Sequence, residues 1–303
     1  MPFELWIPVT IAAAFFQNLR SALQKHLKGR LSTTGASYVR FVYALPLAAL
    51  YVAGLNRIGG LPLPTPNPTF LAYCLLGGLT QILFTVFLLW TFSFRNFAVG
   101  TTFSKLEVVM VAVLGVVILG DHLNGIAILA IAVSACGLIA LSLGQAKLSF
   151  RALIAGLGEK STLLGLVSAA FLGASSVFYR GGSLSLHHDS VVMSAAFTLV
   201  VSLTLQTLIM GAWIAWKEPG EFRKVLANWR TAGAVGVTGM LASVCWFTAF
   251  TVQDAAHVRA LGQIELVFTF LATTLFFHEK VDIRELIGIV LVAGGIVLLV
   301  LGG

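Results

Sequence analysis

The chain has 303 residues, 58% of them hydrophobic and only 10% charged, with 30 Gly, 22 Phe and a mean hydropathy of +0.95. A soluble surface needs far more charge to cover its core, so soluble, disordered, coiled-coil and disulfide-framework classes are excluded. The net charge of +7 comes from 19 Lys and Arg spread over many short connectors, which reads as topology-setting retention and not as a nucleic-acid surface.

A spanning helix takes about 20 apolar residues. Apolar runs of that length fall at 5–25, 35–55, 69–93, 97–119 and 124–144, then at 162–181, 190–214, 231–252, 255–277 and 283–302. They run apolar without alternation, which excludes a transmembrane β-barrel. The expectation is an all-α membrane protein of about ten transmembrane helices. Connectors are short apart from 55–68 and 215–230, so any chemistry must happen among the helices.

In chain order, the first run is interrupted by Gln17, Asn18 and Arg20 and has no basic segment before it, so no cleavable signal peptide is expected. Gln17, Arg20 and Gln24 share one side of a helix, a stripe that should face a cavity or another helix instead of lipid. Arg40 opens the second run; it either faces the cavity or bonds headgroups. Trp90 closes the third run and Trp246 lies in the eighth, each a pocket wall or simply core. The fourth run carries Lys105 and Glu107, and the ninth carries Arg259, Gln263 and Glu265. An ionisable group at a helix centre costs about 2.5–3.5 kcal/mol, so such residues are candidates for function unless they serve as structural bonds.

On one continuous helix Lys105 and Glu107 would point in nearly opposite directions, and Lys105 would share its face with Thr101. Lys105 either snorkels or joins a cationic ring, while snorkelling is the expectation for Arg259 near the mouth of its run. Ser194, Thr198, Ser202 and Gln206 are spaced four apart in the seventh run, where hydroxyl stripes more often join helices than bind ligands. Gly233, Gly236 and Gly239 allow close approach of a helix or of a second copy. Trp213, Trp216 and Trp229 flank the 215–230 connector as an interfacial belt. Cys74, Cys136 and Cys245 are expected as small core residues, and His187-His188-Asp189 lacks a third metal ligand in sequence. No metal site and no cofactor are expected.

The two halves repeat. A shift of 158 positions aligns 78–144 with 236–302 without a gap, placing Glu107 on Glu265, Asp121 on Glu279, Gly137 on Gly295 and Leu143-Gly144 on Leu301-Gly302. Coincident acids weigh more than coincident aliphatics in a chain with only 12 Asp and Glu. Two five-helix repeats, 1–150 and 151–303, are expected; five is odd, so the second enters the membrane inverted. Basic residues concentrate in the odd-numbered connectors, while the even ones hold Arg57, Arg180 and Arg259. That bias puts the odd connectors in the cytoplasm and both termini outside.

Several motifs resemble a known family. They are Ser37-Tyr38-Val39-Arg40-Phe41, then Val117-Ile118-Leu119-Gly120-Asp121-His122-Leu123, then Phe276-Phe277-His278-Glu279-Lys280-Val281 with Gly288 and Gly294-Gly295. The chain resembles an EamA-type, ten-helix member of the drug/metabolite transporter superfamily over nearly all its length. Where that family often carries a Pro midway along spans 4 and 9, this chain has Glu107 and Glu265 nearby. The resemblance implies a secondary transporter of small metabolites, often an exporter, with a cavity between the repeats and both termini inside.

The residues and the resemblance together give an expected function. It is a secondary carrier, not an enzyme, moving small polar metabolites such as amino acids or organic anions across the cytoplasmic (inner) membrane by alternating access. No nucleotide-binding loop of the G-x-x-x-x-G-K-[ST] type is present in the sequence. Proton coupling would fall to Glu107 or Glu265, with Lys105, Arg40, Gln17, Arg20, Gln263 and Trp90 as further substrate or ion contacts. The alternatives are a flippase for lipid-linked substrates and, less in keeping with the short connectors, a polytopic membrane enzyme. The partners are a small-molecule substrate and the lipid bilayer, with monomer and homodimer both open.

Overall fold

The computed structural model describes all residues except 1–3, 28, 29, 92, 95, 96, 276–281 and 303, and all side chains among those described except at 25, 89, 97 and 272–275. Among the described residues the chain is helical, with no strand. The helices are α1 (Trp6–Lys25), α2 (Thr33–Val42), α3 (Ala44–Arg57), α4 (Pro68–Thr91), α5 (Phe97–Ser104), α6 (Glu107–Leu114), α7 (Gly125–Gln145) and α8 (Phe150–Ala155). They continue as α9 (Lys160–Ser185), α10 (Val191–Lys217), α11 (Glu221–Ala227), α12 (Trp229–Val252), α13 (Ala255–Gly262), α14 (Ile264–Leu275) and α15 (Ile283–Gly302).

Local chemistry sets many of the ends. Amides in a first turn have no partner in their own helix, and a side-chain oxygen just upstream supplies one. Ser32 caps α2, Asn124 caps α7, Ser149 caps α8 and Ser190 caps α10. Asn67 accepts from the Phe70 amide at 2.8 Å, beside Pro68, whose missing N–H is no loss at a first helical position. After α6 the helix widens into a π turn at Gly115–Leu119 and stops at Gly120, which takes φ +72. Only glycine adopts that left-handed conformation without strain.

Among the described residues, eight stretches are long and apolar enough to cross a membrane: Thr33–Arg57, Pro68–Leu88, Ala98–Leu119, Gly125–Gln145, Lys160–Ser185, Val191–Lys217, Trp229–Val252 and Ile283–Gly302. The first expected span is helical as α1 but its polar side keeps it out of this set. The ninth is broken at Gln263 between α13 and α14, and its expected final residues lie outside the described ones. Apolar side chains such as Val86, Val117, Ile128, Leu208 and Val290 are exposed along the spans, as a surface facing hydrocarbon requires. Cys74 is buried as expected. Cys136 corrects that expectation: it is exposed on α7, because that face of the helix turns away from α15.

Contacts group the chain into two compact units that cut across the expected sequence halves: residues 1–78 with 178–252, and residues 79–177 with 253–303. In the first unit α1 lies along α12, and α10 packs on α2, α3 and α12. Leu27, Leu31, Val39, Val225, Ala232 and Val235 form one of its apolar clusters. Gly236 lets Tyr43 approach and Gly239 lets the Arg20 stem approach, so both serve packing inside this unit. The hydroxyl stripe of α10 also joins helices: Ser183 Oγ donates to Thr198 Oγ1 at 3.1 Å, and Thr198 donates to the Ser194 carbonyl at 2.7 Å.

In the second unit the main seam is α7 against α15. A Cβ on Gly137 would sit 2.8 Å from the Gly288 carbonyl oxygen, and one on Gly288 would sit 2.5 Å from the Leu141 nitrogen. Backbone-to-backbone approach of this kind supplies van der Waals contact where lipid offers no hydrophobic drive. The seam joins the fifth and tenth apolar runs, the two that the repeat aligns.

Candidate functional site

The fourth and ninth runs, both read from sequence as continuous, are each interrupted. Between α5 and α6 the Lys105 and Leu106 amides bond back three residues, to Thr102 and Phe103, both at 3.1 Å. Between α13 and α14 the Gln263 amide bonds back to Ala260 at 3.2 Å, and Leu266 bonds to Gln263 at 2.9 Å. Lys105 and Gln263 are the positions that the 158-residue shift superposes. Each interruption sets an acid into the first turn of the following helix: Glu107 is the first residue of α6 and Glu265 the second of α14. A carboxylate there is favoured by the exposed amides and the positive end of the helix dipole.

The break also changes what Lys105 can reach. The expectation that Lys105 and Glu107 point apart assumed a continuous helix; with a turn between them, Lys105 lies within electrostatic reach of the Glu107 carboxylate. Glu265 lies within the same reach, and the Gln263 amide is in hydrogen-bonding range.

Arg259 corrects a second expectation. It does not snorkel: its Nη2 donates to Glu107 Oε2 at 3.2 Å, with side-chain exposures of 9% for Arg259 and 14% for Glu107. Gln263 Nε2 donates to the Arg259 carbonyl at 3.4 Å, tying the break to the ion pair. One turn upstream, His257 Nδ1 lies 3.9 Å from Asp254 Oδ2. Sequence reasoning placed Arg259 at a membrane mouth because it lies near the start of its run. The signal that could have found it is the company it keeps, an Arg, a Gln and an Glu within seven residues of an otherwise apolar helix.

The first unit brings together others of the expected residues. Trp246 Nε1 donates to Gln17 Oε1 at 3.0 Å, so Trp246 is neither bare wall nor plain core. Arg40 is part-buried, with its guanidinium 4.7 Å from the Phe41 ring centroid and Tyr179 within electrostatic reach. Tyr179 in turn lies on Phe247, ring centroids 4.6 Å apart. Arg20 runs its stem past Gly239 towards the Arg40 backbone. Arg180 Nη1 donates to the Phe250 carbonyl at 2.8 Å, near the C-terminal end of α12 where carbonyls lack a partner in their own helix. Arg180 and Arg259 are therefore helix residues with partners and not connector charges, which sharpens the bias of basic residues towards the odd connectors.

Trp90 is 53% exposed at the end of α4, beside Phe87. Trp213, Trp216 and Trp229 are exposed at the ends of their helices, where a belt at the membrane–water boundary belongs. His188 closes a loop instead of joining a metal set: Nδ1 accepts from the Ser190 amide at 3.0 Å and Nε2 faces the Pro62 carbonyl at 3.0 Å. The motif Phe276 to Val281, with Glu279, lies outside the described residues.

Comparison with known proteins bears on the class. Residues 160–301 match the EamA-like transporter family. That stretch of the second half is similar to EamA-like transporters. A relative from Sinorhizobium sp., described as "Uncharacterized transporter in cobO 3'region", is 28% identical over 137 residues, which is 44% of this chain and 92% of that one. A crystal structure described only as that of a protein aligns with a TM-score of 0.70 over 98% of this chain and 96% of its own, at 15% identity, and so shares the fold. The apolar helices and the match of residues 160–301 to a transporter family together support a multi-pass membrane protein of transporter type.

Proposed function

We propose that this EamA-like transporter is a secondary carrier that exports small polar metabolites, amino acids or organic anions, across the cytoplasmic (inner) membrane, driven by protons through Glu107. The observation that carries the reading is the Glu107–Arg259 pair at 3.2 Å, held where two apolar runs break. A carboxylate among helices must be paired or protonated, and exchange between those two states is the elementary act of proton coupling. Interrupted helices whose ends point polar groups at one place are the recurring way for transporters to build ion and substrate sites.

The carrier is read as ten helices in two inverted repeats, 1–150 and 151–303, working by alternating access. In support, the breaks at Lys105 and Gln263 and the acids Glu107 and Glu265 fall at positions that the repeat superposes. Gln17, Arg20 and Arg40 in the first unit are the further candidates for substrate contact. The test is transport by purified protein in liposomes with an imposed pH gradient. Uptake that follows the gradient in the wild type and ignores it in Glu107→Gln is the expected result; wild-type uptake indifferent to the gradient would sink the coupling. Reporter fusions at each terminus decide orientation, and the basic bias of the odd connectors puts both termini outside.

A further inference from the structure

The connector between α10 and α12 sorts its charges by sign. From Lys217 to Arg230 it carries two acids, Glu218 and Glu221, and four cations, Lys217, Arg223, Lys224 and Arg230. Both acids are turned inward. Glu218 accepts from Ser32 Oγ at 2.5 Å and from Thr34 Oγ1 at 3.1 Å, while Glu221, 3% exposed, accepts from the Ser32 amide. The short helix α11 is seated on the same side. Phe222 meets Tyr38 edge-on with ring centroids 5.8 Å apart, and Val225 joins the apolar cluster of the first unit.

The cations are left outside. All four are exposed, and among the described residues only Lys224 has an acid beside it, Glu221 at 3.0 Å. Arg30 is exposed on the α1–α2 connector, which Ser32 ties to the same corner. Trp213, Trp216, Leu226 and Trp229 stand exposed among these charges. Lys217 Nζ lies 3.7 Å from the Trp216 ring centroid, and the Arg230 guanidinium 5.5 Å from that of Trp229. Indoles beside snorkelling cations mark the level at which hydrocarbon gives way to headgroups.

We propose that this exposed face, Lys217, Arg223 and Arg230 with the three tryptophans, is a docking surface for anionic phospholipids. Its two halves ask for different things: the cations for a negative group, the indoles and Leu226 for an apolar layer. An anionic phospholipid offers both in one molecule, with its phosphate above and its chains below. A soluble anion would answer the charges and leave the indoles and Leu226 in water. The inward turn of Glu218 and Glu221 is what makes the face one-signed, since either acid on the outside would repel the phosphate. The connector between α7 and α9 shows the contrast. It exposes as many unpaired-sign cations in Lys147, Arg151 and Lys160 but carries no tryptophan.

The test uses the purified full chain in vesicles of phosphatidylcholine and phosphatidylglycerol, with brominated acyl chains on one lipid or the other. Bromine quenches a nearby indole, so the ratio of the two quenching curves reads the lipid preference at the tryptophans, three of the chain's six being on this face. The wild type is expected to prefer phosphatidylglycerol, by about fivefold for each cation engaged, and to lose that preference as salt is raised. Lys217→Gln/Arg223→Gln/Arg230→Gln should abolish it with every indole still in place. Arg223→Gln alone should lower it by about fivefold; that side chain makes no hydrogen bond or ion pair among the described residues, so the fold is not at stake. Lys147→Gln/Arg151→Gln/Lys160→Gln removes the same charge from the other connector and should leave the preference intact.

Equal quenching of the wild type by the two lipids would overturn the proposal. So would a preference that survives the Lys217/Arg223/Arg230 substitutions, or an equal loss from the Lys147/Arg151/Lys160 set, which would make it a property of net charge and not of this face. Displacement of phosphatidylglycerol by soluble glycerol phosphate would assign the cations to a free anion and overturn the lipid as occupant.

Discussion

The two compact units handle buried charge in different ways. In the first, Arg20, Arg40 and Arg180 lie in long helices that carry no Asp or Glu. The partners seen there include neutral groups: the Phe250 carbonyl for Arg180, and the Phe41 ring with Tyr179 in electrostatic reach for Arg40. In the second, Arg259 meets a carboxylate, Glu107, with Lys105 and Glu265 in reach. An arginine answered by carbonyls and aromatic faces stays charged and stays put at any ordinary pH. An arginine answered by a carboxylate can be released by a single proton. The first unit is thus suited to holding charge and the second to exchanging it.

The largest expected effect tests whether the second unit needs its close helix seam before it can exchange anything. Gly288→Leu drives a side chain into the backbone of α7, and loss of monodisperse protein on size exclusion is expected; Gly233→Leu in the first unit, where a Cβ meets nothing, should leave the profile intact. Next comes the charge contrast itself. Arg259→Leu leaves the Glu107 carboxylate without that cation and should cost about 3–5 kcal/mol, read as a fall in the unfolding midpoint. Adding Glu107→Gln should restore most of it. Arg180→Leu removes the bond to the Phe250 carbonyl, and loss of that bond should cost about 1–3 kcal/mol. Equal costs for the two arginines would erase the comparison.

A smaller effect belongs to Trp246→Phe, which removes the donor to Gln17 but keeps the ring, and should cost about 1 kcal/mol in the same assay. The smallest lies outside the membrane, where the first unit does contain a responsive carboxylate. Burial alone would raise the Glu221 carboxyl, but the Ser32 amide and Lys224, 3.0 Å away, outweigh it and hold the group below the usual glutamate value. Its folded pKa is therefore lower than its unfolded one, so its stabilisation is complete above the unfolded value and fades as pH falls through the folded one. The unfolding midpoint should drop modestly on the acid side of the glutamate range. Glu221→Gln should flatten that part of the profile; an unchanged profile would show that the Ser32 amide does not depend on the charge.

Much of this was legible beforehand. Among the described residues the apolar runs are mostly helical, the fourth and ninth with a break, because apolar residues leave the backbone in lipid to bond to itself. Asn67-Pro68, Ser190 and Gly120 mark ends by side-chain capping or by a φ that only glycine takes freely, both of which are local properties. The unusual position of Glu107 was also visible, as an acid far from either end of an apolar run. Its partner was not. The turn beside Lys105 was not visible for a related reason: a wheel drawn on a continuous helix cannot anticipate a turn at Lys105-Leu106 that carries neither Pro nor Gly.

Sequence alone thus pointed to a helical membrane protein, to runs long and apolar enough to cross a bilayer, and to the acids that stand out, since all of these follow from hydropathy and spacing along the chain. Tertiary structure alone decided that Arg259 answers Glu107 across 152 positions, that Cys136 faces outward and that Gln17 holds Trp246. Ion pairs and helix seams depend on which faces meet, and that is a property of the packed chain, not of any segment of it.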